Sequence, residues 1–436
     1  MLADLSSARS RWCFLFLVIL TAGEFSLLAA RVWVAERWNE SSDPKKWLAA
    51  AQLEPGNAQY LEQVALYNEL NLEQRDQPRA ADYLQHATQI DPLSERPWLE
   101  LAALDEARSD FPATRRAYEM AQLDFPVSPD VAWRFGNFLL RQGDLSGGFA
   151  ALRRAIDKDP SLEASALAEC WAVDPNTDLI AAAVLPRNAA HYVRAIRYFL
   201  LQKQTGAALG MWTQLLKLNQ PIAMRDAIDL SDHLLDEGRI SEAHQVWQEA
   251  LRRSAWPDDA NATSVLFNGG FEHDFLNGGF DWRELPLSGV SYDLDSSVLH
   301  SGHQSLRITF DGAANINFQH IFQYVYVAPH QRYRFLAYLR TEGISSENEI
   351  QFDIFDPHHP ETLQISTPVL AGTNGWTPVR VDFESGADTQ LLEILLRRAP
   401  GPAFTDQLRG TVWADDVSLT PVKRETMSGH SMTTQR

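Results

Sequence analysis

The sequence predicts a multidomain α and β chain: an N-terminal membrane-anchor helix, an α-solenoid of stacked helix pairs, and a C-terminal antiparallel β-sandwich. Three observations predict it. An apolar run occupies residues 12–35. Pro92, Pro126 and Pro160 recur at a spacing of 34 residues. Beyond Trp256-Pro257 the apolar period changes from 3.6 to 2, which exchanges helix for strand. At 436 residues the chain has room for two or three domains, and a 45% hydrophobic fraction suffices for their cores.

Arg9 and Arg11 precede the run Trp12-Cys13-Phe14-Leu15-Phe16-Leu17-Val18-Ile19-Leu20, which resumes after Glu24 as far as Ala30. Taken whole, it approaches the ~20 residues of a spanning helix; its first part alone has the length of a secretory h-region. A retained signal anchor over 12–35, with residues 1–11 cytoplasmic, and a cleaved signal peptide therefore both stay open. Either places most of the chain outside the cytoplasm, in the periplasm or at the cell surface. Arg9 and Arg11 favour an inside N-terminus, against which Arg31 and Arg37 count. Cys13 lies ahead of the apolar core and not behind it, so no lipobox is present. With Cys170 as the only other cysteine, no disulfide framework is implied. A net charge of −19 without Lys/Arg stripes excludes nucleic acid as a partner.

The prolines close successive units of a helical array over residues 45–257. Trp98, Leu101, Ala102, Tyr118 and Ala121 fill one unit; Phe135, Gly136, Leu139, Gly148, Leu152 and Ala155 fill the next. Leu140-Arg141-Gln142-Gly143-Asp144 and Leu235-Asp236-Glu237-Gly238-Arg239 place a Gly where the first helix of a pair ends in the left-handed conformation. A period of 34 with this pattern resembles the tetratricopeptide (TPR) repeats, whose helix pairs bury their faces only against neighbours. About five units are recognisable. An insertion falls near Glu73-Gln74-Arg75-Asp76, and a degenerate unit lies between Pro160 and Pro186, opening around Asp174-Pro175. The resemblance implies protein partners held on the solenoid. Trp98, Tyr118, Trp133, Trp212 and Trp247 sit at core spacing, so packing is the expected role of all five.

Alternating stretches at 305–310, 333–340, 350–355, 379–383, 391–396 and 411–419 read as strands of a two-sheet sandwich over residues 262–422. Residues 423–436 read as a disordered tail. The opening Asn268-Gly269-Gly270-Phe271-Glu272, the middle Ser301-Gly302-His303-Gln304-Ser305-Leu306 and the closing Asp415-Asp416-Val417-Ser418-Leu419 together resemble the jelly-roll carbohydrate-binding modules, which are galactose-binding-like sandwiches. That resemblance implies a structural calcium joining the three segments, with Glu272, Asp416 and the His300–His303 turn as donors. It also implies glycan binding. A sugar site needs rings and hydroxyl partners, and the candidates are Tyr292, Asn315, Asn317, Gln319, Gln323 and Gln351. Asn315 to Gln323 alternate as though lining one strand face. Trp282, Trp376 and Trp413 are expected in the core.

No catalytic constellation is visible. Asp415 and Asp416 are neighbours on one strand, expected to point to opposite faces, whereas a glycosidase needs carboxylates flanking a cleft. No nucleophile elbow, phosphate loop or His-Glu-x-x-His occurs. His358, His359 and Glu361 lie in a turn without further ligands. The expectation is a non-catalytic, membrane-anchored bacterial scaffold that binds proteins through its repeats and a glycan through its sandwich, in cell-surface or extracellular polysaccharide assembly or export. Two alternatives remain: a pure protein-interaction scaffold whose sandwich has lost sugar binding and acts as a cap, and an accessory subunit of a glycan-processing enzyme.

Overall fold

The computed structural model describes residues 8–70, 76–254, 256, 263–345, 350–400 and 407–422. The expected tail at 423–436 and the first seven residues lie outside the described residues. The chain divides into two compact units, Met1–His191 and Tyr192–Arg436.

The first unit opens with α1 (Ala8–Asn39), a 32-residue helix. It is long and apolar enough to cross a membrane: an 18-residue window has mean hydropathy 2.1 and is nowhere buried by protein. At 1.5 Å per residue the helix is about 48 Å long, well beyond the ~30 Å of a hydrocarbon core. Its last turns pack on protein. Ala35 is fully buried with Ala50 and Ala51 of α2 (Pro44–Leu53) and with Tyr60, Leu61 and Val64 of α3 (Ala58–Leu70); Trp38 and Trp47 flank them. Arg31 pairs with Glu54 across the same junction. The apolar helix thus runs into the repeat array without a break.

The array continues through α4 (Gln77–Ile90), α5 (Glu95–Ala107), α6 (Phe111–Asp124), α7 (Pro129–Arg141), α8 (Leu145–Lys158), α9 (Glu163–Val173) and α10 (Thr177–Ala183). α5, α7 and α9 start 34 residues apart, so the proline period is the helix-pair period. Each start has a local cause. Asp76, Asp110, Ser128 and Asp144 accept a backbone N–H of the first turn, and Pro follows at the first helical positions after the first three. The left-handed residue between paired helices is Gly143 (φ 79°) in one unit and Gly238 (φ 72°) in another, as expected. Ser109 (φ 61°) and Lys203 (φ 57°) take the same conformation at the equivalent turns, where the sequence carries no glycine signal. The degenerate unit is α9–α10: Asp174-Pro175 separates the helices, and α10 has only seven residues.

The second unit comprises α11 (Ala189–Leu201) from Tyr192 onward, α12 (Thr205–Lys217), α13 (Met224–Asp236), α14 (Ile240–Arg253) and ten strands. The strands are β1 (Trp282–Glu284), β2 (Val290–Asp295), β3 (Ser305–Asp311), β4 (Ile321–Tyr326), β5 (Arg332–Ile344), β6 (Gln351–Phe355), β7 (Gln364–Ser366), β8 (Gly372–Glu384), β9 (Leu391–Arg397) and β10 (Arg409–Pro421). They form two five-stranded antiparallel sheets, ordered β1-β4-β9-β6-β7 and β2-β3-β10-β5-β8. One core joins them, with Phe310, Phe335, Val412 and Leu419 from the second sheet meeting Ile321, Phe352, Ile354 and Ile394 from the first. This is the expected jelly-roll sandwich.

Two expectations about single residues change. Trp282 and Trp413 are buried, but Trp376 is half-buried and rests edge-on against His300 at 5.7 Å, because β8 pairs only with β5 and borders the sheet. The stretch Asn315–Tyr324 is also not one strand. Phe318 and Ile321 both point inward although three residues apart, since Phe318 only bridges to Arg398 before β4 begins. The alternation slips there by one residue, and that reverses every later side chain.

Candidate functional site

Among the described residues, three places that bring chemistry-bearing side chains together bear on function. The first is the junction of the three segments that suggested the sandwich. Gly269 lies against β10 so closely that a Cβ would stand 1.8 Å from Val417 O, and Val417 N–H donates to Gly269 O at 2.8 Å. β10 bulges here: Asp416 has φ 47°, and pairing with β5 skips between Asp415 and Ser418. The bulge overturns the expectation that the two aspartates face opposite ways, because an extra residue breaks the alternation. Both carboxylates reach the same turn. Asp415, fully buried, accepts N–H from His300 at 2.8 Å, Ser301 at 3.1 Å and Asp416 at 2.7 Å. Burial raises its pKa against the pull of those three donors. Asp416 pairs with His300 Nδ1 at 2.5 Å and accepts from Ser301 Oγ at 2.8 Å. Glu272 accepts His303 N–H at 2.7 Å and lies 3.2 Å from its Nδ1.

So Glu272, His300, His303 and Asp416 do converge, but as carboxylates aimed at N–H and O–H donors. Each of the carboxylate oxygens of Glu272 and Asp416 accepts from a nitrogen or hydroxyl donor in this structure. Among the described residues no group of three or more His, Cys, Asp or Glu side chains is arranged to hold a metal ion. These hydrogen bonds staple the ends of the sandwich.

The second place is the outer face of the first sheet. Strand register aligns Arg283, Phe322, Leu395, Asp353 and Ser366 in one row across all five strands. The next outward row is Tyr324, Glu393, Phe355 and Gln364. Asp353 Oδ1 accepts from Gln351 Nε2 and Ser366 Oγ, both at 2.7 Å, while Arg397 Nε stands 3.8 Å from Oδ2. Arg397 also donates to Asn317 Oδ1 and, at 3.2 Å, to Phe318 O. A polar cluster of Asn317, Gln351, Asp353, Ser366 and Arg397 therefore lies beside the rings of Phe322 and Phe355. The opposite end of the face is covered. His244 of α14 stacks on Tyr326 at 4.1 Å, and Asp232 of α13 takes Arg283 at 2.6 Å and Gly279 N–H at 2.7 Å. Burial raises the pKa of Glu393 beneath, with Arg283 opposing.

The six sugar candidates separate. Asn317 and Gln351 join this cluster. Asn315 instead accepts from buried Arg398 at 2.6 Å. Gln319 is exposed and apart from the cluster. Tyr292, on the other sheet, donates its hydroxyl to Leu285 O at 3.1 Å, and burial pushes its pKa to about 12. Gln323 is a correction: the slipped alternation turns it fully inward, where its amide donates to Phe267 O at 2.8 Å and Phe280 O at 2.9 Å. Asp353, Ser366 and Arg397 were missed. A trace of them was readable, since Glu393 and Arg397 are the charges at even spacing in an otherwise apolar strand.

The third place is a groove of about 700 Å³ in the first unit, lined by Tyr118, Trp133, Arg134, Asn137, Arg141 and Glu169 among others. Arg141 donates to both oxygens of Glu106 at 2.8 and 2.9 Å, and Arg134 pairs with Asp130 at 3.0 Å, so the cations are neutralised in place. Tyr118, Trp212 and Trp247 are core, as expected. Trp98 is half-buried, packing on the core as expected while one side lines a groove; Trp133 is half-buried and lines the groove along α7, because helical spacing sets a face without saying what covers it.

No protein-family model matches the chain, and no curated protein matches it. Among solved structures, a family 16 carbohydrate-binding module matches at 15% identity and TM-score 0.26, over 36% of this chain and 99% of the module. The CBM22-1 xylan-binding domain from Paenibacillus barcinonensis Xyn10C matches at 16% identity and TM-score 0.24, over 33% and 86%. YrrB, a TPR protein with an unusual peptide-binding site, matches at 16% identity and TM-score 0.28, over 40% and 93%. Likenesses this weak add no weight to the architecture, which stands on its own helices and strands. That architecture is a TPR-like helical array joined to a carbohydrate-binding-module-like jelly roll, preceded by an apolar helix.

Proposed function

We propose that the chain is a non-catalytic scaffold retained at a membrane by α1, with the repeats holding a protein segment in the groove along α7 and the sandwich holding a glycan. Its setting is the assembly or export of a cell-surface or extracellular polysaccharide, with both units outside the cytoplasm. The observation that carries the glycan reading is the outward cluster of Asn317, Gln351, Asp353, Ser366 and Arg397 beside Phe322 and Phe355. Its carboxylate and guanidinium match vicinal hydroxyls, and its rings match the apolar face of a pyranose. The full chain in nanodiscs, tested on a glycan array and by affinity electrophoresis in soluble polysaccharide gels, is expected to bind at least one glycan class. Asp353→Ala and Phe322→Ala should each weaken that binding about tenfold or more, the loss of one good anchor. A wild-type chain that binds no glycan in either assay overturns this reading.

One observation favours a second reading, in which the sandwich only caps the array and docks proteins. α13 and α14 already occupy one end of the same face through Asp232 and His244. Protein capture that survives Asp353→Ala unchanged, with no glycan bound by wild type, selects it.

A further inference from the structure

The segment from Asn268 to Arg283 folds under the last helix pair and carries a buried acid. Asp281 is fully buried; one oxygen accepts Leu276 N–H at 2.6 Å, and Oδ1 has no partner. Asn268, 4% exposed, adjoins that carboxyl. Its nitrogen donates to His273 O at 2.9 Å, and its oxygen also lacks a partner. Burial disfavours the charged carboxylate, while the Leu276 and Trp282 N–H groups and the Asn268 side chain favour it, and burial is the larger effect.

The charged neighbour that acts on this carboxyl, Arg283, favours ionisation but does not offset burial. Arg283 shares its guanidinium with Asp232 at 2.6 Å and with the Tyr324 ring at 5.1 Å. His273 faces Trp256, and His244 faces Phe280 and Tyr326, so neither contacts the carboxyl.

The same segment docks the sandwich onto the helices. Phe280 packs on Trp247 at 6.1 Å and His244 at 5.7 Å, and Gly279 N–H donates to Asp232. Its neighbour along the chain is Asp281.

We propose that the joint between α13–α14 and the sandwich is a proton-gated latch, closed while Asp281 holds its proton and loosened when that proton leaves. Loosening uncovers Tyr324 and Tyr326, extending the outer face proposed for glycan. Burial raises the Asp281 carboxyl to about 7, so the gate lies near neutrality. The sign follows: a carboxyl raised in the folded state supports the fold in acid and loses that support as pH rises through about 7. His244 sets the other limb. Burial lowers its pKa, so it is neutral when docked, and acid strong enough to protonate it places a cation between Phe280 and Tyr326. The latch is therefore tightest in mild acid.

Hydrogen exchange on the full chain in nanodiscs tests this, with rates corrected for intrinsic pH dependence. Between pH 6 and pH 8, opening at residues 276–284 and along α14 should rise about tenfold in wild type, as expected for a single proton leaving near 7. Asp281→Asn, which keeps the shape of the neutral acid, should flatten that rise. Asp232→Asn, which leaves Asp281 in place, should raise opening at every pH while keeping the slope. A pH-independent wild type overturns the proposal, as does an unchanged slope in Asp281→Asn. So does a slope abolished by millimolar Ca²⁺, which would make a cation the counter-charge. Because the readout is exchange, failure of glycan binding leaves the result intact.

Discussion

Replacing Trp247 by Ala should unfold more than the helix that carries it. Trp247 is 1% exposed, and its ring meets Phe267 at 5.4 Å and Phe280 at 6.1 Å, both from the segment that leads into β1. Gly279 approaches so closely that a Cβ there would stand 2.2 Å from the indole. Truncation therefore removes a full Trp from a site walled by two elements that cannot both collapse inward, a loss of about 4 kcal/mol. For a cooperative unit of this size, that corresponds to a fall in Tm of about 8–16 °C. Two signals should report it together: far-ultraviolet helicity at 222 nm, and the near-ultraviolet band of the sandwich tryptophans Trp282 and Trp413. Trp133→Ala, in the groove, should move neither by more than about 3 °C, since its half-exposed ring gives up little burial. The reasoning is refuted if Trp247→Ala shifts only the helical signal, or if its shift is no larger than that of Trp133→Ala.

The remaining predictions concern other parts of the chain. Ser109→Gly and Lys203→Gly relieve left-handed strain at turns where Gly143 and Gly238 show the preferred residue. Each should stabilise by about 0.5–1 kcal/mol in denaturant titrations. Asp415→Ala leaves three backbone N–H groups without their acceptor and should destabilise the sandwich by about 3 kcal/mol. Adding Ca²⁺ to wild type should leave the sandwich's Tm unchanged, since the oxygens of Glu272 and Asp416 are held by protein donors. Residues 263–422 expressed alone should bind a hydrophobic dye and self-associate, because Phe280 and Tyr326 lose Trp247 and His244. Residues 192–422 should not.

Much of the helical array was legible because its signals are local. Prolines after each second helix, Asp or Ser at the caps and Gly143 all act within four residues of where they stand. The same turn at Ser109 was invisible, since the conformation there is imposed by its neighbours and not by the side chain. In the sandwich, period two located most strands, yet it assumes an unbroken count. One slip between Phe318 and Ile321 sent Gln323 inward, and one extra residue at Asp416 brought two aspartates to a single turn. The candidate site suffered most, because Asp353, Ser366 and Arg397 meet only through the pairing of three strands. The joint could not be read at all. Trp247 has the spacing of any inter-helix core residue, and nothing local says that its partner is Phe280.

Ala35 is buried and Trp38 partly buried among the first repeats, so the end of α1 and those repeats move as one piece. Were α1 set in a bilayer, each turn or tilt of it would carry the leading repeats along as one lever, and its tilt would set the direction in which the first repeats leave the membrane. Cutting the chain within α1 would release a unit with an open wound in its first core.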